Sequence, residues 1–192
     1  MKKLLPLIQA CIFLFSFNAL AQEAEQSFIT SFLIEGGIEY GGDEIALIPF
    51  TSGETQSMKA GQGGFIAVGG QFQFAAIEKL LIRTTLGIKY NTTAAENANI
   101  RFTRVPINLM GFWKITEDVR IGLGASAHQN VQLKGDGFIP DLNFESNIGP
   151  RVEIGYKWAA LTYTAVNYTA ETDGDYSAGA IGLSLSYVFT KK

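Results

Sequence analysis

Apolar and polar side chains alternate with a period of two through most of this chain, the spacing of a β-strand with one greasy and one polar side. The alternation begins with Phe32, Ile34, Gly36, Ile38 and Tyr40 on one face and Leu33, Glu35, Gly37 and Glu39 on the other. It returns with Ile66, Val68, Gly70, Phe72 and Phe74 against Phe65, Ala67, Gly69, Gln71 and Gln73, then with Leu80, Ile82, Leu86, Ile88 and Tyr90 against Arg83, Thr85, Gly87 and Lys89. A fourth strand sets Val105, Ile107, Leu109, Gly111, Trp113 and Ile115 against Arg104, Pro106, Asn108, Met110, Phe112 and Lys114. Its start breaks step, because Ile100 and Phe102 fall on the wrong parity, and a bulge near Arg104 would repair that. A fifth runs Val119, Ile121, Leu123, Ala125, Ala127 opposite Arg120, Gly122, Gly124, Ser126, His128, and a sixth Ile148, Val152, Ile154, Tyr156, Trp158 opposite Gly149, Arg151, Glu153, Gly155. A seventh, Leu161 to Tyr168, alternates least; the eighth, Ile181 to Phe189, alternates most cleanly.

The connections between these eight strands alternate in length. Long ones span 43–60, 91–99, 133–145 and 170–178, and short ones 75–79, 116–118 and the neighbourhood of Trp158. Long links at one end and tight turns at the other predict an all-β, eight-stranded antiparallel up-and-down barrel. Such a barrel is either soluble, with apolar residues inside, or bathed in lipid, with apolar residues outside. Gly122, Gly124 and Ser126, or Gly182, Ser184 and Ser186, could not form a hydrophobic nucleus, so the polar parity is assigned to the lumen. Aromatics on the apolar parity gather at the short-turn end, at Phe72, Phe74, Trp113, Tyr156, Trp158, Tyr187 and Phe189, with Tyr40, Tyr90 and Phe102 at the other. Two aromatic belts around an aliphatic band are what two membrane interfaces produce.

The first residues change the picture in one respect. Lys2 and Lys3, the apolar run Leu4–Phe17 and Ala19-Leu20-Ala21 read as an exported signal peptide over 1–21, which leaves 22–192 as one barrel domain. A lipoprotein reading of Ile8-Gln9-Ala10-Cys11 is disfavoured, because more apolar sequence follows the cysteine. The single cysteine, Cys11, lies in that leader, so the mature chain forms no disulfide and no cysteine-based metal site. The net charge of −3 becomes −5 without the two lysines, which argues against nucleic acid as a partner. No run of 18 apolar residues remains for a membrane helix.

The alternating end Leu183–Phe189 and the strand Arg104-Val105-Pro106-Ile107-Asn108-Leu109-Met110-Gly111, followed by Phe112-Trp113, carry a resemblance. The chain resembles the small outer-membrane β-barrel proteins of the OmpX and OmpA-barrel kind and the porin/PorT-like barrels. The resemblance implies a monomer in the outer membrane of a Gram-negative cell, among lipids and lipopolysaccharide. It also implies a C-terminal strand read by the barrel-assembly machinery and an accessory role in secretion. Thr190-Lys191-Lys192 depart from the family's terminal Phe.

Chemistry is sparse. The inward parity carries Arg83, Lys89, Arg104, Lys114, Arg120 and Arg151 against Glu35, Glu39 and Glu153, a lumen charge network that plugs so narrow a barrel. A narrow pore for ions or small solutes is the alternative. Ser126 and His128 share a face, which admits a lipid-modifying enzyme as a third reading, although His128 points inward rather than at lipid. Gly61-Gln62-Gly63-Gly64 lacks the helix a phosphate loop needs. Asp173-Gly174-Asp175 and Lys134-Gly135-Asp136-Gly137 have too few ligands for a calcium loop. The long connections hold ten acids (Asp43, Glu44, Glu54, Glu96, Asp136, Asp141, Glu145, Glu171, Asp173, Asp175) against Lys59 and Lys134. Divalent cations or a basic partner suit that crown. The expectation is a structural or surface-interaction protein with no cofactor, no resident metal and no catalysis.

Overall fold

A computed structural model describes residues 28–49, 53, 55–93, 99–171 and 174–189. The expected signal peptide 1–21, Glu54, Glu96, Asp173 and the terminal 190–192 lie outside the described residues. The strands are β1 (Phe28–Tyr40), β2 (Glu44–Pro49), β3 (Thr55–Lys59), β4 (Gly63–Phe74), β5 (Ile77–Thr92), β6 (Arg101–Lys114), β7 (Val119–Lys134), β8 (Leu142–Ser146), β9 (Ile148–Tyr156), β10 (Ala159–Thr164), β11 (Asn167–Ala170), β12 (Gly174–Ser177) and β13 (Ala180–Phe189).

They make eight antiparallel staves: β1, β4, β5, β6, β7, and three broken ones, β8/β9, β10/β11 and β12/β13. β1 closes the barrel by pairing on one side with β4, Phe32 opposite Gly70, and on the other with β13, Phe32 opposite Phe189. β2 and β3 form a hairpin of their own above the wall. The β4–β5 turn is shorter than the alternation predicts, and the β6–β7 turn is one residue longer. β5 begins at Ile77, so only Ala75 and Ala76 link it to β4, and Thr116 Oγ1 tightens the β6–β7 turn by accepting the amides of Asp118 at 3.3 Å and Val119 at 3.0 Å.

The wall is apolar outside and polar inside. Ile121, Ile154 and Leu183 are 45%, 62% and 60% exposed, whereas Arg120 and Glu153, on the opposite parity, are 6% and 4% exposed. The chain is thus a closed eight-stranded barrel of the transmembrane kind, its polarity the inverse of a soluble one.

Toward the loop end the polarity reverses. Above His128, β7 takes one extra residue: Thr103 faces Gln132 but Val105 faces Gln129, leaving Asn130 (φ 50°) and Val131 opposite Arg104. This shift turns Val131 and Leu133 inward and Gln132 and Lys134 outward. The irregularity expected near Arg104 therefore lies on β7, and β6 itself runs unbroken. Ile100 and Phe102 stay inward and wholly buried, so Phe102 is not in the aromatic belt assigned to it above. With Val131, Leu133, Phe144, Val166, Tyr168 and the hairpin's Ile48 and Met58 they build a hydrophobic core over the lumen. Phe102 meets Phe144 and Tyr168 edge-on at 5.9 and 6.1 Å. The long connection 43–60, read from sequence as an acidic loop, is mostly this hairpin.

Candidate functional site

The lumen has two charge clusters, and the wall's inward glycines make room for them. Near the turn end, Glu153 of β9 accepts from Arg120 of β7 through Nη2 at 2.9 Å and Nε at 3.2 Å, while Arg120 Nη1 donates to the Lys157 carbonyl at 2.6 Å. A Cβ on Gly155 would stand 2.5 Å from the Arg120 guanidinium carbon, so only glycine lets that side chain lie flat against β9. Arg83 of β5 donates from Nε to Gln71 at 2.7 Å and stays 4.0 Å from Glu153. The Phe112 ring lies beneath both arginines, 4.9 Å from Arg83 and 5.7 Å from Arg120, an arrangement that favours cations over the ring face.

Nearer the loop end, Glu39 of β1 is shared. It pairs with Lys89 of β5 and accepts from Arg151 Nη1 of β9 at 3.1 Å. Arg151 also reaches Glu35 at 3.4 Å and the Thr164 hydroxyl at 3.2 Å. Gly182 leaves the space that Glu39 fills, since a Cβ there would meet its Cγ at 2.5 Å. Burial of so many charges is tolerated only where each finds a partner, and the shared carboxylate supplies two at once.

Above this cluster Arg104, and Lys89 in addition to its pair with Glu39, hold main chain. Lys89 Nζ donates to the Gly61 carbonyl at 2.6 Å, and Arg104 donates to the carbonyls of Ala60 at 2.5 Å and Gln62 at 2.6 Å. Arg104 is wholly buried, with its guanidinium 4.1 Å from the centre of the Phe102 ring. The segment 60–62 leads from β3 into β4, so these two cations strap the end of the hairpin across the barrel mouth.

All nine residues expected in the lumen face inward, but Lys114 stands apart. It is half-buried at the turn-end mouth and makes no ion pair or hydrogen bond among the described residues. The belt residues Trp113, Tyr156, Trp158, Tyr187 and Phe189 are exposed on the outer wall, with Phe72 and Phe74 partly covered. Tyr187 and Phe189 meet edge-on at 4.8 Å. His128 is brought to Tyr168, whose hydroxyl contacts its Nδ1, and not to Ser126, whose Oγ has no hydrogen-bond partner. Phe112, Gln71, Tyr168 and the carbonyls of 60–62 were not singled out from sequence. The apolar run Ile45-Ala46-Leu47-Ile48 was the available signal for the strap's hairpin.

At the loop end, seven described acids (Asp43, Glu44, Asp136, Asp141, Glu145, Glu171, Asp175) are exposed. Asp141 is tied down. Its carboxylate accepts the Gly135 amide at 2.8 Å and the Lys134 ammonium at 2.9 Å, and these two contacts, the amide first, hold its pKa below the usual value. A lowered pKa in the folded state means that the charged form stabilises the turn above the ordinary aspartate range, and that this is lost as pH falls through the lowered value. Amide exchange at Gly135 is expected to speed up in Asp141→Asn at neutral pH, and in the unmodified protein only on strong acidification. Equal exchange in the two proteins at neutral pH would remove the turn's dependence on that carboxylate.

No family model matches the chain, and no curated protein does. Among solved structures, the chain is similar to Ail, the attachment invasion locus protein of Yersinia pestis, in complex with the heparin analogue sucrose octasulfate. That match has a TM-score of 0.47 at 8% identity, over 84% of this chain and 99% of that one. A second structure of Ail gives 0.41 at 8% identity over 85% and 100%. Ail in a phospholipid bilayer nanodisc gives 0.35 at 8% identity over 82% and 99%.

Proposed function

We propose that this chain is a non-catalytic outer-membrane β-barrel whose work is done at its loop end, as a structural or surface-interaction protein with a lumen closed by its own side chains. The observation that carries this reading is the reversal of polarity along single staves. On β6 the outward residues Ile107, Leu109 and Trp113 are apolar, but Arg101 and Thr103, higher on the same face, are polar, while Ile100 and Phe102 turn apolar inside. One solvent cannot select both rules. Lipid around the wall and water around the cap selects both, and sets the boundary near Arg104.

The exposed aromatics at the turn end, with Tyr40 and Tyr90 at the other, then sit at the two interfaces as anchoring belts. The paired charges and the 60–62 strap fill the lumen, which in an eight-stranded barrel has little room to spare. Outer-membrane lipid and lipopolysaccharide surround the protein, and β13, alternating to Phe189, is the strand offered to the assembly machinery. Among the described residues no three acids converge on one point. The exposed acids of the crown suit weak, diffuse attraction of divalent cations, which would bridge them to lipopolysaccharide phosphates, or of a basic partner.

A narrow pore is the second reading, favoured by the surplus of lumen cations over carboxylates. Fractionation with gel mobility before and after boiling, followed by planar-bilayer recording, tests both. The folded protein is expected in the outer-membrane fraction, with heat-dependent mobility and no steady conductance. Recovery in the soluble periplasmic fraction would overturn the membrane assignment, and steady conductance would replace the plug with the pore.

A further inference from the structure

We propose that the turn-end mouth of the barrel binds a small phosphoryl oxyanion, held by Arg83 and Lys114. A recess of about 200 Å³ opens there, walled by β4, β5, β6, β7 and β13, with room for several waters at about 30 Å³ each. Of the four cations that line it, Arg120 and Lys157 are held by Glu153 and Asp118, which leaves Arg83 and Lys114 as the least matched. Arg83 is only 6% exposed, yet Nε supplies its single hydrogen bond among the described residues, and Nη1 has no partner. The nearest carboxylate, Glu153, is 4.0 Å away and already taken by Arg120 at 2.9 Å.

Buried donors left unmatched are destabilising, and Nη1 is such a donor at one end of a guanidinium fork that can grip an oxyanion with both arms. Phe112 fixes the plane of that fork from below at 4.9 Å. Two residues further along the same face of β6, Lys114 brings a second free cation to the recess. The local acids do not neutralise the pair. Asp118 and Glu117 also line the recess, at its exposed rim, and Asp118 is engaged there with Lys157 at 3.8 Å. A planar fork and a point charge together match a tetrahedral, doubly charged oxyanion better than a halide.

The test uses the full chain folded in dodecylmaltoside, titrated with inorganic phosphate or with chloride at matched ionic strength, and scored by calorimetry and by heat-dependent gel mobility. Phosphate at ten times its Kd is expected to raise the unfolding temperature by about 3 °C over chloride. Lys114→Gln, at the half-exposed mouth, is expected to weaken the Kd at least about tenfold. Arg83→Gln does the same where it folds, and Lys134→Gln at the loop end has no effect. A parallel arm compares vesicles of phosphatidylcholine with and without phosphatidylglycerol. Protection by free phosphate in detergent assigns a soluble ligand, and protection only by phosphatidylglycerol assigns a lipid headgroup. Equal unfolding temperatures in every arm, or an unchanged Kd in Lys114→Gln, would overturn the site.

Discussion

Glu39→Gln is expected to destabilise the barrel by about 3–5 kcal/mol, the range found when one partner is removed from a buried ion pair. The carboxylate neutralises both Lys89 and Arg151 toward the loop end of the lumen. Its loss leaves Lys89 with only the Gly61 carbonyl and Arg151 with Glu35 at 3.4 Å and Thr164 at 3.2 Å. Urea unfolding in vesicles, followed by tryptophan emission, measures the loss. Glu39→Gln combined with Lys89→Met should recover a substantial part, because an absent pair costs far less than a half pair. If the single substitution moves the midpoint no more than the double one, charge pairing is not what holds the lumen.

Arg104→Met is the second large effect, expected at about 2–4 kcal/mol. Two charge-assisted hydrogen bonds disappear, leaving the buried carbonyl of Ala60 and the partly buried one of Gln62 without this donor. The consequence differs from that at Glu39, because the strap that crosses the mouth loses its main anchor. Cleavage by trypsin after Lys59 is expected to become rapid, and brief conductance events should appear in planar bilayers. Arg104→Lys keeps the charge but not the fork, and should restore closure only in part. A strap that stays protease-resistant in Arg104→Met would mean that the apolar core around Ile48 and Met58 holds it without help.

Most of the wall is legible in the sequence because a period of two and a lipid surround leave little freedom: Leu183, Ile121 and Ile154 could face only one way. The cap is less legible for a reason that is itself physical. Ile100 and Phe102 look misplaced under the rule for lipid, and are correctly placed under the rule for water that applies above Arg104. A bulge on β6 would rescue a single rule, whereas the chain obeys two and carries its extra residue on β7. The charge pairs were legible only as an inventory. That Glu39 meets Arg151, 112 residues away, depends on strand tilt and stagger, which fix who faces whom across the bore and leave no mark on either strand alone. The guanidinium clamp on 60–62 was hidden likewise, because its acceptors are main-chain carbonyls with no residue signature.

The three broken staves interrupt at Asn147, at Ala165 and Val166, and at Ala178 and Gly179. The first joint is stitched by the Asn147 side chain, whose Oδ1 accepts the Asn167 amide at 2.8 Å. Everything beyond these seams shares a nucleus of its own, distinct from the wall below. Anyone grafting a foreign epitope onto this scaffold therefore inherits a natural cutting line, with a condition attached. An insert at the exposed tip 136–138, short of Ile139, leaves the nucleus whole, whereas one that replaces Phe144 or Tyr168 must bring its own greasy filling or leave the mouth unroofed.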